Sequence, residues 1–350
     1  MHPSFQRLMA DATRLTRAGD LRAATAAIQA ALHGTAPAAN DEASVIDVQA
    51  RDVRVERDIE APVPSPPPSH DAGRFIANCY VHGAGSREYK LYVPPSYQGQ
   101  PLPLVVMLHG CTQDPDDFAL GTRMNEAALE RGFFVLYPAQ SKNANASRCW
   151  NWFQHNDQRR GRGEPALLAN MTSEVVSRYG IDARQVFVAG LSAGGAMAAI
   201  LGDAYPDVFA AIGVHSGLPP RSATNVKTAF EAMRRGATTG AAANAGAPPA
   251  IVFHGDQDKT VHPINGEQIV AGRAGATTLE TERRRGEDGR EFTRHVYRDA
   301  DGRVTVEHWV VHGAGHAWSG GNPRGSYTDS RGPDATEEML RFFFAHPNPN

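Results

Sequence analysis

Five short apolar runs, separated by helical patterns, constrain the fold of this chain more than any other feature. They lie at residues 102–110, 133–139, 185–192, 209–217 and 249–255. Each run is nearly continuous in apolar residues, which is typical of a strand buried on both faces of a parallel sheet. Helical patterns lie between them near 116–131 and over 166–179. This alternation of strands and helices along the chain predicts an α/β domain, with a mostly parallel central sheet flanked by helices.

Four further segments complete this predicted domain. Residues 74–95 and 291–313 have the pattern of β-hairpins, and the second contains a DADG turn. Residues 335–346 predict a closing helix. Residues 218–249 interrupt the alternation, and we expect them to form a cap helix and a loop over the functional site.

The first part of the 350-residue chain differs in composition from the rest. Residues 1–34 place apolar side chains at helical spacing with a break near residue 19, which predicts a helical hairpin. Residues 35–72 are rich in proline, alanine and acidic residues, as is typical of a linker. We therefore expect the main domain at residues 73–350, with the hairpin available for docking to a partner or for dimerisation.

Charge and apolar content exclude two classes of partner. The net charge of −3 gives no indication of nucleic-acid binding. The basic clusters at residues 159–162 and 283–285 are short, and we interpret both as solvated loops. No apolar run has the length needed to span a bilayer.

The sequence contains three cysteines, Cys79, Cys111 and Cys149, which permit one disulfide with one thiol left over.

A serine between glycines ends the third apolar run. The segment Gly190-Leu191-Ser192-Ala193-Gly194 fits the pattern G-x-S-x-G. In this pattern a sharp strand-to-helix turn projects the serine above a sheet, and the glycines leave room for that turn. The strand before it and the small-residue helix after it supply the context the motif requires. We therefore predict that Ser192 is a nucleophile and not part of an ordinary glycine-rich turn.

A serine nucleophile needs a base, and the base needs an orienting carboxylate. In this arrangement the chain order is serine, acid, histidine. Asp256 and Asp258 follow the run at 249–255, and we prefer Asp258 because it lies deeper in the loop. Of His312 and His316 we favour His316, because the preceding Gly-Ala-Gly makes a flexible loop. The histidines lack close ligand spacing, so no metal or other cofactor is expected.

The reaction of such a serine creates an oxyanion that needs two preorganised donors. One is the N–H of Ala193, which follows the nucleophile. The second should come from the loop LHGCTQD, where we choose the N–H of Cys111 and keep that of Thr112 as the alternative. Gly110 allows the backbone there to approach closely.

Several aromatic residues lie near these motifs. Trp150, Trp152 and Phe153 share one loop, and Trp318 follows His316 by two positions. They are either core residues or the lining of an apolar pocket for the acyl or alcohol group of an ester. The sequence favours neither interpretation.

Five segments together resemble a known family. VVMLHGCTQ, CWNWF, GLSAGGAM, FHGDQDKTVHPINGEQ and GAGHAWSGG, in that order, resemble the polyhydroxybutyrate depolymerase-like esterases of the α/β-hydrolase superfamily, over roughly residues 74–346. The resemblance implies an α/β-hydrolase fold with Ser192 as nucleophile, Asp258 as its acid and His316 as its base. It also implies a disulfide between Cys111 and Cys149.

The resemblance leaves substrate and compartment open. The family includes short-chain polyhydroxyalkanoate depolymerases, feruloyl esterases and acetylxylan esterases, many of them secreted. Here a helical hairpin and linker stand where secreted members carry a signal peptide, and no polymer-binding module is recognisable after the catalytic domain. A disulfide indicates an extracellular or periplasmic protein, whereas the lack of a recognisable signal peptide indicates the cytoplasm.

We therefore expect a serine carboxylic-ester hydrolase acting through an acyl-enzyme on short-chain hydroxyalkanoate or related esters. Feruloyl or acetylxylan esters are the alternative substrates. A non-catalytic hydrolase-fold protein, docked through residues 1–34, is the alternative of another class. Because a free imidazole titrates near 6.5, a histidine base predicts activity that declines below about pH 6–6.5.

Overall fold

The computed structural model describes residues 72–82, 85–237, 246–274, 278–286 and 289–349. The predicted hairpin at 1–34, and the predicted linker at 35–72 except for its last residue, lie outside these ranges. In chain order the elements are β1 (Arg74–His82), β2 (Gly85–Val93), β3 (Leu104–Leu108), α1 (Pro115–Thr122), α2 (Met124–Arg131), β4 (Phe134–Pro138), α3 (Gly163–Tyr179), β5 (Val186–Leu191), α4 (Ala193–Ala204), β6 (Ala211–His215), α5 (Val226–Arg235), β7 (Ala250–Gly255), α6 (Ile264–Ala271), β8 (Thr278–Arg285), β9 (Glu291–Arg298), β10 (Val304–Val311), β11 (Trp318–Ser319), β12 (Thr328–Asp329) and α7 (Ala335–Phe344).

One sheet organises the described residues. Its ten strands follow the order β1-β2-β4-β3-β5-β6-β7-β10-β9-β8. The six strands from β4 to β10 in that order are parallel, and antiparallel hairpins extend the sheet at both sides. The predicted α/β class with a mostly parallel central sheet is confirmed. Because β5, β6, β7 and β10 are parallel neighbours, the loops after them open at the same edge.

The continuous apolar runs are explained by helices on both faces of the sheet. In β3, Leu104, Val106 and Leu108 pack into one buried cluster with residues of α3, α4 and α6. Val105 and Met107 face the opposite cluster, with residues of α1, α2 and α7. Every residue of β3 is therefore buried, and no position along it is left for an alternating polar residue.

Helix boundaries follow local capping chemistry. The Asp114 carboxylate accepts a hydrogen bond from the N–H of Asp117, and Asp334 caps α7 in the same way. The single helix expected near 116–131 is two helices, because Arg123 has a left-handed backbone with φ of 57°. Among the described residues, no helix is both long and apolar enough to cross a membrane.

Four elements are not predicted by the sequence, and the interpretation of one basic cluster is wrong. They are helix α6, strand β8 and the short strands β11 and β12, which pair with each other in a separate two-stranded sheet. The arginines at 283–285, interpreted as a loop, belong to β8 and form ion pairs with neighbouring Glu282 and Glu291. An exposed edge strand needs no apolar face, so its sequence lacks the signal that marked the buried strands.

Stability should depend on pH through buried histidines, which burial keeps neutral. Burial lowers the pKa of His308 to about 3, whereas an unfolded histidine titrates near 6.5. Between these values only the unfolded chain takes up the proton, so the free energy of unfolding falls as pH falls. For His308 the loss from pH 7 to pH 4 is on the order of 3 kcal/mol.

Urea denaturation of the parent and of His308→Gln at pH 7, 5.5 and 4 measures this contribution. Buried carboxyl groups add slopes of both signs, and the difference between the two proteins removes them. We expect the variant to lose less stability than the parent over this range. Parallel curves for the two proteins would show that His308 does not titrate on unfolding.

Candidate active site

Ser192 occupies a sharp turn between β5 and α4. Its backbone has φ 58° and ψ −118°, a sparsely populated conformation for a residue with a side chain. Its N–H donates to the carbonyl of His215 at 2.9 Å, and its carbonyl accepts from Ala196. A Cβ atom added at Gly190 would lie 2.4 Å from Gly194 backbone atoms, and one at Gly194 would lie 1.9 Å from the Leu108 carbonyl oxygen. The turn therefore requires both glycines of the motif.

The loops after β7 and β10 bring Asp258 and His316 into contact. Asp258 Oδ2 lies 2.7 Å from His316 Nδ1, and Oδ1 accepts the N–H groups of Thr260 and Val261 at 2.8 and 2.9 Å. Burial alone would raise the pKa of Asp258, but hydrogen bonds from His254 and His316 outweigh burial and hold it well below its usual range. An ionised carboxylate accepts the Nδ1 proton, so Nε2 of His316 is left as an acceptor.

The other aspartate and histidine of these loops form a second pair. Asp256 Oδ2 lies 2.9 Å from His312 Nδ1, and Oδ1 accepts the N–H of Gly313 at 2.7 Å. His312 Nε2 is 2.8 Å from Thr293 Oγ1, so both ring nitrogens are occupied. This pair anchors the start of the loop that carries His316.

His215, which our sequence analysis did not single out, connects the serine turn to the histidine loop. Its carbonyl accepts from Ser192, and its Nε2 accepts the N–H of Ser319 at 3.0 Å. Its ring stacks against Trp318 with the centroids 5.2 Å apart. Burial lowers the pKa of His215 to about 3, which keeps Nε2 an acceptor. The only sequence signal was its position at the end of an apolar run.

The loop after β3 passes beside Ser192. A Cβ atom added at Gly110 would lie 3.7 Å from the Cβ of Ser192. The N–H of Thr112 donates to the carbonyl of Ser147 at 2.7 Å, so this alternative oxyanion donor is already occupied. The N–H groups of Cys111 and Ala193 have no acceptor within the described part of the chain. The two amides predicted as oxyanion donors are therefore free to donate to a ligand, and their role stays a prediction.

A disulfide joins the same loop to the tryptophan loop. Cys111 and Cys149 are bonded, with their Cα atoms 4.2 Å apart. Cys79 is a free, exposed cysteine. The disulfide places Trp150 next to the loop that carries the Cys111 amide.

The aromatic residues divide into two groups. Trp150 and Trp318 are 0% and 1% exposed, and their Nε1 atoms donate to the His109 carbonyl and to Thr336 Oγ1. Both side chains therefore lie in the core of this structure, which is one of the two interpretations that the sequence leaves open. Trp152 is also buried, whereas Phe153 is partly exposed. The two rings meet edge to face, with their centroids 5.6 Å apart. A substrate contact stays a prediction for this second group.

Tyr327 is an exposed aromatic residue that no sequence pattern marks. Its side chain is 47% exposed and its φ is 52°, which is rare for a bulky residue. Its hydroxyl lies 3.3 Å from Thr112 Oγ1, one residue from Cys111, and its carbonyl accepts from the Trp318 N–H. A lone tyrosine in a loop has no spacing signal, so only the structure could place it here.

Comparison with known proteins gives consistent matches. A family model described as Esterase PHB depolymerase matches residues 87–293. Poly(3-hydroxyalkanoate) depolymerase C of Paucimonas lemoignei is 32% identical over 234 residues, which is 63% of this chain and 56% of that protein. Poly(3-hydroxybutyrate) depolymerase of Ralstonia pickettii is 32% identical over 240 residues, or 62% and 48% of the two chains. The chain thus matches about half the length of these relatives.

Two further matches are acetylxylan esterases. The probable acetylxylan esterase A of Aspergillus fumigatus is 32% identical over 149 residues, covering 41% of this chain and 38% of that protein. The solved acetyl xylan esterase of Aspergillus awamori superposes with a TM-score of 0.62 at 20% identity, over 78% of this chain and 99% of that one. At 20% identity, this superposition shows a common fold and nothing more.

Proposed function

Because this chain belongs to the esterase PHB depolymerase family, we propose that it is a serine carboxylic-ester hydrolase acting through an acyl-enzyme. The resemblance drawn from the sequence is thereby confirmed, as is the α/β-hydrolase fold. The observation that carries the proposed activity is the hydrogen bond between buried Asp258 and His316. It leaves Nε2 of His316 as an acceptor in a loop that opens at the same sheet edge as Ser192.

In the proposed mechanism Ser192 Oγ attacks the ester carbonyl carbon while His316 Nε2 takes the hydroxyl proton. The resulting oxyanion accepts hydrogen bonds from the N–H groups of Ala193 and Cys111. His316 then gives its proton to the departing alcohol, and the acyl group remains on Ser192. A water molecule, deprotonated by His316, attacks the acyl carbonyl and releases the acid, and the proton returns to Ser192. Asp258 stays ionised throughout and stabilises the imidazolium.

For the substrate we propose short-chain hydroxyalkanoate esters, with feruloyl and acetylxylan esters as alternatives. The support is that the depolymerase relatives match more of this chain than the acetylxylan esterase relative does. A comparison of kcat/KM on 3-hydroxybutyrate oligomers, methyl ferulate and acetylated xylan tests the choice. We expect the oligomers to give the highest value. A higher value on methyl ferulate or acetylated xylan would transfer the proposal to that substrate.

Labelling with a fluorophosphonate tests whether the chain is an enzyme at all. Such a probe reacts with an activated serine and not with an ordinary one. We expect one adduct, located by peptide mass spectrometry on the peptide that contains Ser192, and none on heat-denatured protein. An unlabelled native protein would favour the non-catalytic binding protein. Docking to a protein or polymer granule through residues 1–34 stays a prediction.

A further inference from the structure

The side chain of His109 contacts the oxyanion loop, and the mechanism above does not use it. His109 directly follows β3 and is buried. Its Nδ1 lies 2.7 Å from the carbonyl oxygen of Gly110, the next residue. Its Nε2 lies 3.1 Å from the backbone nitrogen of Gln140. A backbone N–H can only donate, so Nε2 is the acceptor, and the ring proton is on Nδ1, where it donates to Gly110.

This hydrogen bond acts on the peptide that ends in the Cys111 N–H. The Gly110 carbonyl and the Cys111 N–H belong to one planar trans peptide, so they point in opposite directions. The Gly110 carbonyl accepts from His109 Nδ1 at 2.7 Å and from the N–H of Gln113 at 3.4 Å. These donors together fix the direction of the Cys111 N–H, and the contact with His109 is the shorter of the two. Within the described residues that N–H has no acceptor of its own, so nothing on its own side fixes its direction.

The ring of His109 is itself held by buried polar groups. Gln140, whose N–H sets the ring tautomer, accepts from Arg87 and donates to Glu164 through its side chain. Gln140 Nε2 also lies 2.9 Å from the carbonyl oxygen of Cys149. The carbonyl of His109 accepts from Trp150 Nε1 at 3.0 Å. Burial lowers the pKa of His109 to about 4, which agrees with a neutral ring.

We propose that His109 is a positioning residue, whose Nδ1–H orients the Gly110–Cys111 peptide so that the Cys111 N–H is directed at the oxyanion. This inference rests on the proposed ester hydrolysis. An amide fixed in advance stabilises the transition state and needs no reorganisation during the reaction. Loss of His109 should therefore lower kcat, whereas KM should change little because the ground-state carbonyl depends less on this donor.

Two variants separate the two ring nitrogens. In His109→Asn the side-chain amide lies near the position of Nδ1, so it can still donate to Gly110. In His109→Gln the amide lies near the position of Nε2, so it keeps the contact with Gln140 and loses the donor. We expect His109→Gln to lower kcat roughly 10- to 100-fold, less than the full loss of an oxyanion donor. We expect His109→Asn to recover at least tenfold of that loss, with KM within about threefold of the parent in both.

A trifluoromethyl ketone forms an adduct with the serine that carries the oxyanion. Its inhibition constant reports on the oxyanion donors and does not change when a variant only lowers the stability of the fold. Its inhibition constant should rise in His109→Gln by the same factor by which kcat falls. Equal kcat in the two variants, or a larger loss in His109→Asn, would overturn the inference. A parent protein that neither hydrolyses esters nor reacts with a fluorophosphonate would instead overturn the proposed function.

A measurement on the parent protein keeps the inference testable if a variant does not fold. Nitrogen-15 NMR of histidine-labelled protein distinguishes the two neutral tautomers by their nitrogen shifts. The His109 signals are assigned from their absence in the spectrum of a folded His109 variant, or through contacts to neighbouring residues. We expect His109 to carry its proton on Nδ1 from pH 6 to pH 8. A proton on Nε2 would exclude the donor to Gly110 and with it the proposed role.

Discussion

Replacing Ser192 by alanine should lower kcat toward p-nitrophenyl butyrate by about 10⁶-fold, the loss seen when a triad nucleophile is removed. Only the hydroxyl disappears, because the alanine Cβ occupies the same place in the turn. The backbone hydrogen bonds of residue 192, to His215 and from Ala196, do not involve the side chain. We therefore expect the free energy of unfolding to stay within about 1 kcal/mol of the parent. Initial rates and urea denaturation measure the two quantities.

Ser216 offers a matched control for this substitution. It follows β6, the parallel neighbour of β5, and it also has a positive φ, of 50°. Its hydroxyl lies 3.1 Å from His215 Nδ1 and belongs to no step of the mechanism. Ser216→Ala should retain kcat within about tenfold of the parent. Undiminished turnover in Ser192→Ala would refute the nucleophile, and equal losses in both variants would indicate a general disruption of this sheet edge.

The buried part of the fold was predictable because burial on both faces leaves a direct trace in the sequence. Strands β3 to β7 each appear as an apolar run, and the two glycines around Ser192 mark a turn with no space for Cβ atoms. Strand β8 leaves no such trace, since its exposed side chains are mostly charged. The boundary between helices α1 and α2 at Arg123 is also unmarked in the sequence, because an arginine and not a glycine adopts the left-handed conformation there.

The candidate site was predictable where loop position limits the choice. Order along the chain and depth in the loop favoured Asp258 over Asp256, and the structure gives each of them a different histidine. The tryptophans could not be placed, since a tryptophan beside a motif fits the core and the pocket equally well. His109 escaped notice because its role depends on a ring tautomer and a backbone carbonyl, which no spacing pattern records.

Exchanging Asp258 for asparagine should lower kcat by about 10⁴-fold, the cost of the wrong histidine tautomer in a serine triad. The N–H groups of Thr260 and Val261 both donate to Oδ1, so the carbonyl oxygen of an asparagine must take that position. Its NH₂ group then faces Nδ1 of His316, which has to accept. The ring proton moves to Nε2, which can no longer take the proton of Ser192.

Asp256→Asn is the control that separates this mechanism from a general change of the loop geometry. The N–H of Gly313 donates to Oδ1 of Asp256, so an asparagine there directs its NH₂ at His312 and moves that ring proton to Nε2 as well. Thr293 Oγ1 can accept from Nε2 as readily as it donates, so the second pair tolerates the exchange. We expect kcat of Asp256→Asn within about fivefold of the parent. Asp256 and Asp258 lie two residues apart in one loop, and the two variants make the same chemical change. Comparable losses of kcat in both would therefore indicate a general effect on this loop and not the tautomer of His316. A loss below tenfold in Asp258→Asn would remove the tautomer argument altogether.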